Sequence, residues 1–169
     1  MVVCDSGPLI HLSRVGRLGL LKDLFGQIEI SRSVYREVVE EAKASGKPGV
    51  SAIEHAIEKG WVKVVETKEK AAVKKLAESE RIQIGDAEVL RLAKTRSTSL
   101  VTNDGWLVKV AKGVGVQTLW TTTLILLAVK KGKIGKVAGK DLLRELVLSG
   151  LHVRPDVYAM LLQAIDELQ

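Results

Sequence analysis

Short apolar runs alternate along the chain with longer segments in which apolar residues recur every three to four positions. A buried strand reads as a short apolar run, whereas an apolar repeat with a period near 3.6 is typical of an amphipathic helix. The predicted strands are residues 2–4, 27–30, 61–65, 99–102 and 115–119. The predicted helices are a short one beginning near residue 8, then 18–25, 31–43, 50–59, 68–79, 85–93, 106–112, 121–131, 139–148 and 155–168.

Strands that alternate with helices are typical of a parallel sheet with helices on both faces. We therefore predict an α/β fold, a three-layer α/β/α sandwich with a central parallel sheet, followed by a C-terminal helical extension. The predicted boundaries are a sandwich domain over residues 1–120 and an extension over residues 121–169 that packs on the same domain.

Four residues are expected to have structural roles. Thr67 is predicted to cap the helix that follows it, because a threonine hydroxyl can accept a hydrogen bond from a free helix N–H. Cys4 lies within a predicted strand and is interpreted as a small buried residue, while His11, among apolar neighbours, is interpreted as packed or hydrogen-bonded. Trp106 could stack on a base, but its place beside Leu107 in a helix favours the core.

Asp5 and Asp104 stand in equivalent places, each just after a predicted strand and at the start of a helix. An aspartate there is often only a helix cap or a turn residue. In a parallel sheet, however, the carboxyl ends of the strands share one edge, and ligands bind at that edge. Both acids are therefore candidates for one site.

Two further acids lie on helices. Glu37 falls at the border of the apolar stripe of its helix, and Glu41 on the same side is its rival for facing a site. Asp86 shares a helical face with Val89 and Leu90 in the segment Gly85–Ala93. The alternative for Asp86 is a helix cap or a favourable interaction with the helix dipole.

Acids gathered in one site repel one another, so such a cluster is tolerable when cations neutralise it. Carboxylate oxygens favour Mg²⁺ or Mn²⁺ over zinc, and the chain has no paired Cys/His ligand pattern. Because Mg²⁺ readily shares its ligands with phosphate, this pattern favours hydrolysis of phosphodiester bonds.

The formal net charge of +6 favours an anionic partner such as nucleic acid, although lysines also simply solvate surfaces. The run containing Lys130, Lys131 and Lys133 is a candidate RNA contact and otherwise a solvated turn. One cysteine excludes an internal disulfide framework. With no apolar run long enough for a membrane span and no secretory leader pattern, we expect a cytoplasmic protein without a membrane partner.

The motifs around these acids resemble those of the PIN domain superfamily. They are the opening VCDSGPLIHL, the VYREVV helix, the GDAEVLRLA segment and VTND. The group within that superfamily related to VapC toxins is the most similar. The resemblance covers residues 1–120, and the tail is longer than in a minimal toxin of that kind.

The resemblance implies a metal-dependent, RNA-directed nuclease that forms a homodimer and, if it is a toxin, pairs with an antitoxin protein. Asp5, Glu37, Asp86 and Asp104 would form the acidic site. The Mg²⁺ or Mn²⁺ ligands among them would be Asp5, Asp86 and Asp104. Ser6 and Thr102 occupy positions whose small hydroxyls help to orient these carboxylates in PIN domains. The motif ending Asn103-Asp104-Gly105 has one acid where relatives often have two.

Two alternatives stay open beside the nuclease. A catalytically silent module of the same fold could bind RNA or a protein through its lysines and its tail. A phosphatase that uses Asp5 as a nucleophile is disfavoured, because Gly7 stands where that chemistry usually requires a second acid.

Overall fold

The computed structural model describes residues 1–169 and contains one five-stranded sheet in which every neighbouring pair of strands is parallel. Its strand order is β3-β2-β1-β4-β5. The strands are β1 (Val2–Cys4), β2 (Ile28–Ser31), β3 (Val62–Val65), β4 (Leu100–Val101) and β5 (Thr118–Leu119). The chain order reverses between β1 and β4, so the edge beyond these two strands is where a parallel sheet opens a ligand crevice.

Helices cover both faces of the sheet, which confirms the predicted three-layer α/β/α fold. One of them, α3, runs through three consecutive segments, Arg32–Tyr35, Arg36–Glu41 and Ala42–Ala44. The middle segment is π-helical. The other helices are α1 (Ser6–Arg14), α2 (Gly19–Phe25), α4 (Val50–Glu58), α5 (Lys70–Glu80), α6 (Ile84–Thr95), α7 (Gly105–Gly113), α8 (Thr121–Lys130), α9 (Lys136–Leu148) and α10 (Pro155–Glu167).

The core is continuous from the sheet into the C-terminal helices. Val3 and Cys4 on the central strand are fully buried, as are Leu124 of α8 and Leu146 of α9. All four side chains belong to one cluster of 37 buried apolar residues. Residues 121–169 therefore pack onto the same core as the sheet. No helix combines the length and the apolar character that a membrane span requires.

Two of the expected structural roles are wrong. Thr67 caps no helix: α5 begins at Lys70 after Glu69, and no side chain caps it. The Thr67 hydroxyl is instead buried without a hydrogen-bond partner. Trp106 is not a core residue, since it is 56% exposed. It belongs to the first turn of α7, at the open edge of the sheet, whereas Leu107 on the next helical position is buried.

Candidate functional site

A polar pocket of about 470 Å³ lies at the carboxyl edge of the sheet. We call it the acidic pocket. Its lining residues come from the loops after β1 and β4, from α3 and from the start of α6, and only one of them is apolar. They are Asp5, Ser6, Gly7, Ser33, Val34, Glu37, Gln83, Gly85, Asp86, Asn103 and Asp104. All four acids singled out in the sequence therefore face one space, although they are spread over about a hundred residues of chain.

Asp5 is held by hydrogen bonds on both carboxylate oxygens. Its Oδ1 accepts from the backbone N–H of Ser6 at 2.7 Å, and its Oδ2 accepts from Thr102 Oγ1 at 2.8 Å. Burial raises the pKa of Asp5, and the charge of Asp104 raises it further, while the hydrogen bonds act in the opposite direction. The hydrogen bonds thus fix the orientation of the carboxylate, while burial makes its charged form less favourable.

Asp104 caps α7. Its Oδ1 accepts from the backbone N–H groups of Trp106 at 2.8 Å and Leu107 at 3.0 Å, while its own N–H donates to Thr102 Oγ1 at 3.1 Å. Both capping bonds use Oδ1, so Oδ2 has no hydrogen bond within the chain. Asp104 therefore caps a helix and also lines the acidic pocket, as Asp5 does.

Asp86 lies in the first turn of α6 and lines the same pocket. Burial is the main cause that raises its pKa, and the charges of Asp5, Asp104 and Glu37 add to the increase. The nearby backbone N–H of Gln83 acts in the opposite direction and lowers the pKa of Asp86. The repulsion from the other three acids shows that the cluster is electrostatically coupled.

Glu37 rather than Glu41 lines the acidic pocket. It lies in the π-helical segment of α3 and is exposed, as is Asp104, whereas Asp5 and Asp86 are partly buried. A π-helical turn carries an extra residue per turn, so it changes which side chains face a given direction, and such turns are frequent at functional sites. The helical projection from the sequence, which assumed a regular α-helix, favoured Glu37 but kept Glu41 as its rival.

Two predicted supporting hydroxyls lie beside these acids. Thr102 is completely buried and joins Asp5 to Asp104 through its single hydroxyl. Ser6 also lines the acidic pocket, and its side chain helps to counter the rise in the pKa of Asp5.

Ser33 and Asn103 line the pocket but were not predicted as site residues. The Ser33 hydroxyl donates a hydrogen bond to Glu88, which ties α3 to α6 across the pocket. Asn103 Oδ1 accepts from the backbone N–H of Thr121 at 3.0 Å, while its Nδ2 is buried without a partner. The place of Asn103 next to Asp104 was a usable signal, whereas nothing in the local sequence marked Ser33.

The three candidate RNA-binding lysines do not line the acidic pocket. Lys130, Lys131 and Lys133 are exposed at the end of α8 and in the turn that follows. The start of α8 lies at the same sheet edge as the pocket, so Lys130 is roughly 13 Å further along the helix axis. If these lysines contact RNA, they contact a part of it away from the acidic pocket.

The chemistry of the pocket fits a hard divalent cation. Its ionisable groups are all carboxylates. Burial and repulsion disfavour the charged forms of Asp5 and Asp86, a cost that a bound cation would offset. No three carboxyl, imidazole or thiol groups surround a common point as ligands of one ion. This arrangement is compatible with Mg²⁺, which typically takes one or two carboxylates and keeps several waters.

These features define a parallel α/β protein with an acidic pocket at the carboxyl edge of its sheet. The family model DUF3368, described as a PIN domain, matches residues 1–167, and the chain belongs to that family. The match covers the C-terminal helices as well as the sheet. PIN domains are nuclease-like in general. No curated protein matches the chain.

Proposed function

We propose that this protein is a divalent-metal-dependent endoribonuclease that hydrolyses phosphodiester bonds of RNA. The main support is the coupling of Asp5 and Asp86, whose pKa values are both raised within one pocket that also contains Asp104 and Glu37. Such a cluster lowers stability because the charged carboxylates repel one another, and acids with perturbed pKa values grouped in a cleft are candidates for a functional site.

The proposed ligands of Mg²⁺ or Mn²⁺ are Asp5, Asp86 and Asp104, of which one or two would bind an ion directly and the rest through its waters. Glu37 would complete the cluster. Asp104 Oδ2 is available to bind a cation, because both capping hydrogen bonds of this side chain are accepted by Oδ1. A bound divalent cation would supply a more acidic water for attack on phosphorus and would stabilise charge on the departing oxygen.

The chain's own groups would keep this site rigid. Thr102 holds Asp5 and the backbone of Asp104 in one orientation, and the N–H groups at the start of α7 fix Asp104 Oδ1. Fixed ligands lower the reorganisation needed when substrate binds. The net charge of +6 would help to attract RNA, although the pocket itself is acidic. As part of this proposal, we also expect the protein to form a homodimer and, if it is a toxin, to pair with an antitoxin protein.

The test is cleavage of a fluorescently labelled single-stranded RNA in Mg²⁺ or Mn²⁺, compared with the same reaction in EDTA. We expect cleavage only with metal, and a loss of at least about a hundredfold for Asp5→Asn, which keeps the side-chain shape but removes the charge. Equal cleavage by Asp5→Asn and the wild type would remove Asp5 from the mechanism. RNA binding that is insensitive to EDTA, without any cleavage, would favour the alternative of a silent binding module.

A further inference from the structure

A second pocket of about 460 Å³ adjoins the acidic pocket at the carboxyl edge of the sheet. Half of its lining residues are apolar, in contrast to the acidic pocket. The apolar lining residues are Trp120, Leu151, Val153 and Val157. We call it the Trp120 pocket. It lies between the end of β5 and the segment that joins α9 to α10.

Asn103 lines both pockets and separates them. Its Oδ1 accepts from the N–H of Thr121, which follows Trp120 directly, while a Cβ built at Gly7 would lie 3.8 Å from its Nδ2. One end of the amide therefore faces the start of α8 and the other faces the start of α1. A ligand that occupies the acidic pocket has the Trp120 pocket as its immediate neighbour.

Trp120 is close to Asp104 through the strand pairing. Thr102 donates its backbone N–H to Leu119 O at 3.0 Å, so the ends of β4 and β5 lie side by side. A Cβ built at Gly105 would lie 3.8 Å from the Trp120 indole ring, and Gly105 is the neighbour of Asp104 in sequence. The ring thus reaches the first turn of α7, while 39% of Trp120 is exposed.

We propose that the Trp120 pocket binds one nucleobase of single-stranded RNA, adjacent to the phosphate that occupies the acidic pocket. This inference rests on the proposed function for its substrate. A partly exposed indole in a half-apolar pocket offers a face on which any base can stack. The polar part of the lining supplies hydrogen-bonding groups, including those of His152 and Arg154. Arg154 is exposed and already pairs with Asp156 at 2.9 Å, so stacking rather than net charge carries the proposal.

Binding of a labelled 12-nucleotide single-stranded RNA, measured by fluorescence anisotropy in EDTA, tests this pocket without requiring cleavage. We expect Trp120→Leu to weaken binding roughly 5- to 150-fold, the range for loss of one base stacked on an aromatic ring. Trp120→Phe should recover most of the affinity. The matched control is Trp106→Leu, which removes an exposed tryptophan that lines neither pocket and should change binding less than about threefold.

A second arm replaces one base at a time with an abasic ribose. We expect one position to be the most sensitive in the wild type, and Trp120→Leu should be insensitive to loss of the base there. Equal affinities for Trp120→Leu and wild type, or equal losses for both tryptophan variants, would overturn the inference. The inference would also be overturned if Trp120→Leu weakened the binding of a protein partner but not the binding of RNA.

The two proposals can fail separately. If metal-dependent cleavage by the acidic pocket is found but Trp120→Leu leaves RNA affinity and KM unchanged, only the base pocket is wrong. If no metal supports cleavage and yet Trp120→Leu removes the base-dependent affinity, the base pocket stands and the nuclease proposal fails.

Discussion

Thr102 Oγ1 lies 2.8 Å from Asp5 Oδ2 and donates a hydrogen bond to it across the adjacent ends of β4 and β1. The same hydroxyl oxygen accepts the backbone N–H of Asp104 at 3.1 Å. One buried threonine therefore sets the relative positions of two acids that lie about a hundred residues apart in sequence.

Replacing Thr102 by valine should reduce both activity and stability. The change keeps the shape of the side chain but leaves the Asp104 N–H and Asp5 Oδ2 without their partner, which costs about 1–3 kcal/mol for a buried group. We expect metal-dependent RNA cleavage to fall by about tenfold or more, and urea unfolding to show the lower stability. Thr102→Ser keeps the hydroxyl and should retain most of the activity. If Thr102→Val and Thr102→Ser cleave RNA equally well, the hydroxyl does not position the site.

Glu37 and Glu41 offer a matched pair of substitutions on one helix. Only Glu37 lines the acidic pocket, while both side chains are exposed. Glu37→Gln should lower the rate of metal-dependent RNA cleavage by about tenfold or more, because it removes one charge of the cluster. Glu41→Gln should leave the rate within about twofold of the wild type, as is usual for a surface substitution. A larger loss for Glu41→Gln than for Glu37→Gln would contradict the assigned site.

Asp86→Asn should stabilise the metal-free protein at neutral pH. The pKa of Asp86 is raised in the folded protein, mainly by burial and then by the charge of Asp5. Its contribution to stability is therefore complete below the ordinary aspartate pKa of about 3.9 and is lost as the pH rises through the higher folded-state value. Asparagine cannot ionise, so it avoids this loss.

Thermal unfolding in EDTA at two pH values measures the effect. We expect Asp86→Asn to raise Tm by a few degrees at pH 7 and to give almost no difference near pH 3, where the wild-type carboxyl is also protonated. Asp141→Asn, on the exposed side of α9, provides the control. A lower Tm for Asp86→Asn at pH 7 would contradict the expectation and mean that the favourable effect of the Gln83 backbone on the Asp86 carboxylate outweighs burial and repulsion.

The sequence predicted the sheet and the acids at its edge because both depend on local patterns. Asp5 and Asp104 each follow an apolar run and precede a helix, and a parallel sheet brings such positions to one edge. The sequence favoured Glu37 but left Glu41 as its rival, and no residue type there signals the π-helical turn in which both lie. The contact of Ser33 with Glu88 depends on how α3 packs against α6, and this is a tertiary property.

The wrong prediction for Trp106 has a simple physical origin. Helical spacing identifies the face of a helix that is buried, but it does not tell how far the helix extends beyond the sheet. The first turn of α7 lies at the open edge, so Trp106 is exposed although Val110, one turn later, is buried. Trp120 is exposed at the same edge. Its sequence position does not mark it as a binding residue, because the Trp120 pocket forms only when distant segments pack together.

The most direct test of the central claim, that these acids share a divalent cation, is Mn²⁺ binding measured by isothermal titration calorimetry without RNA. We expect saturable binding to the wild type, weakened at least about tenfold in Asp5→Asn and Asp86→Asn, and unchanged in Glu41→Gln. Absence of saturable binding to the wild type, or equal binding by Asp5→Asn, would contradict the claim.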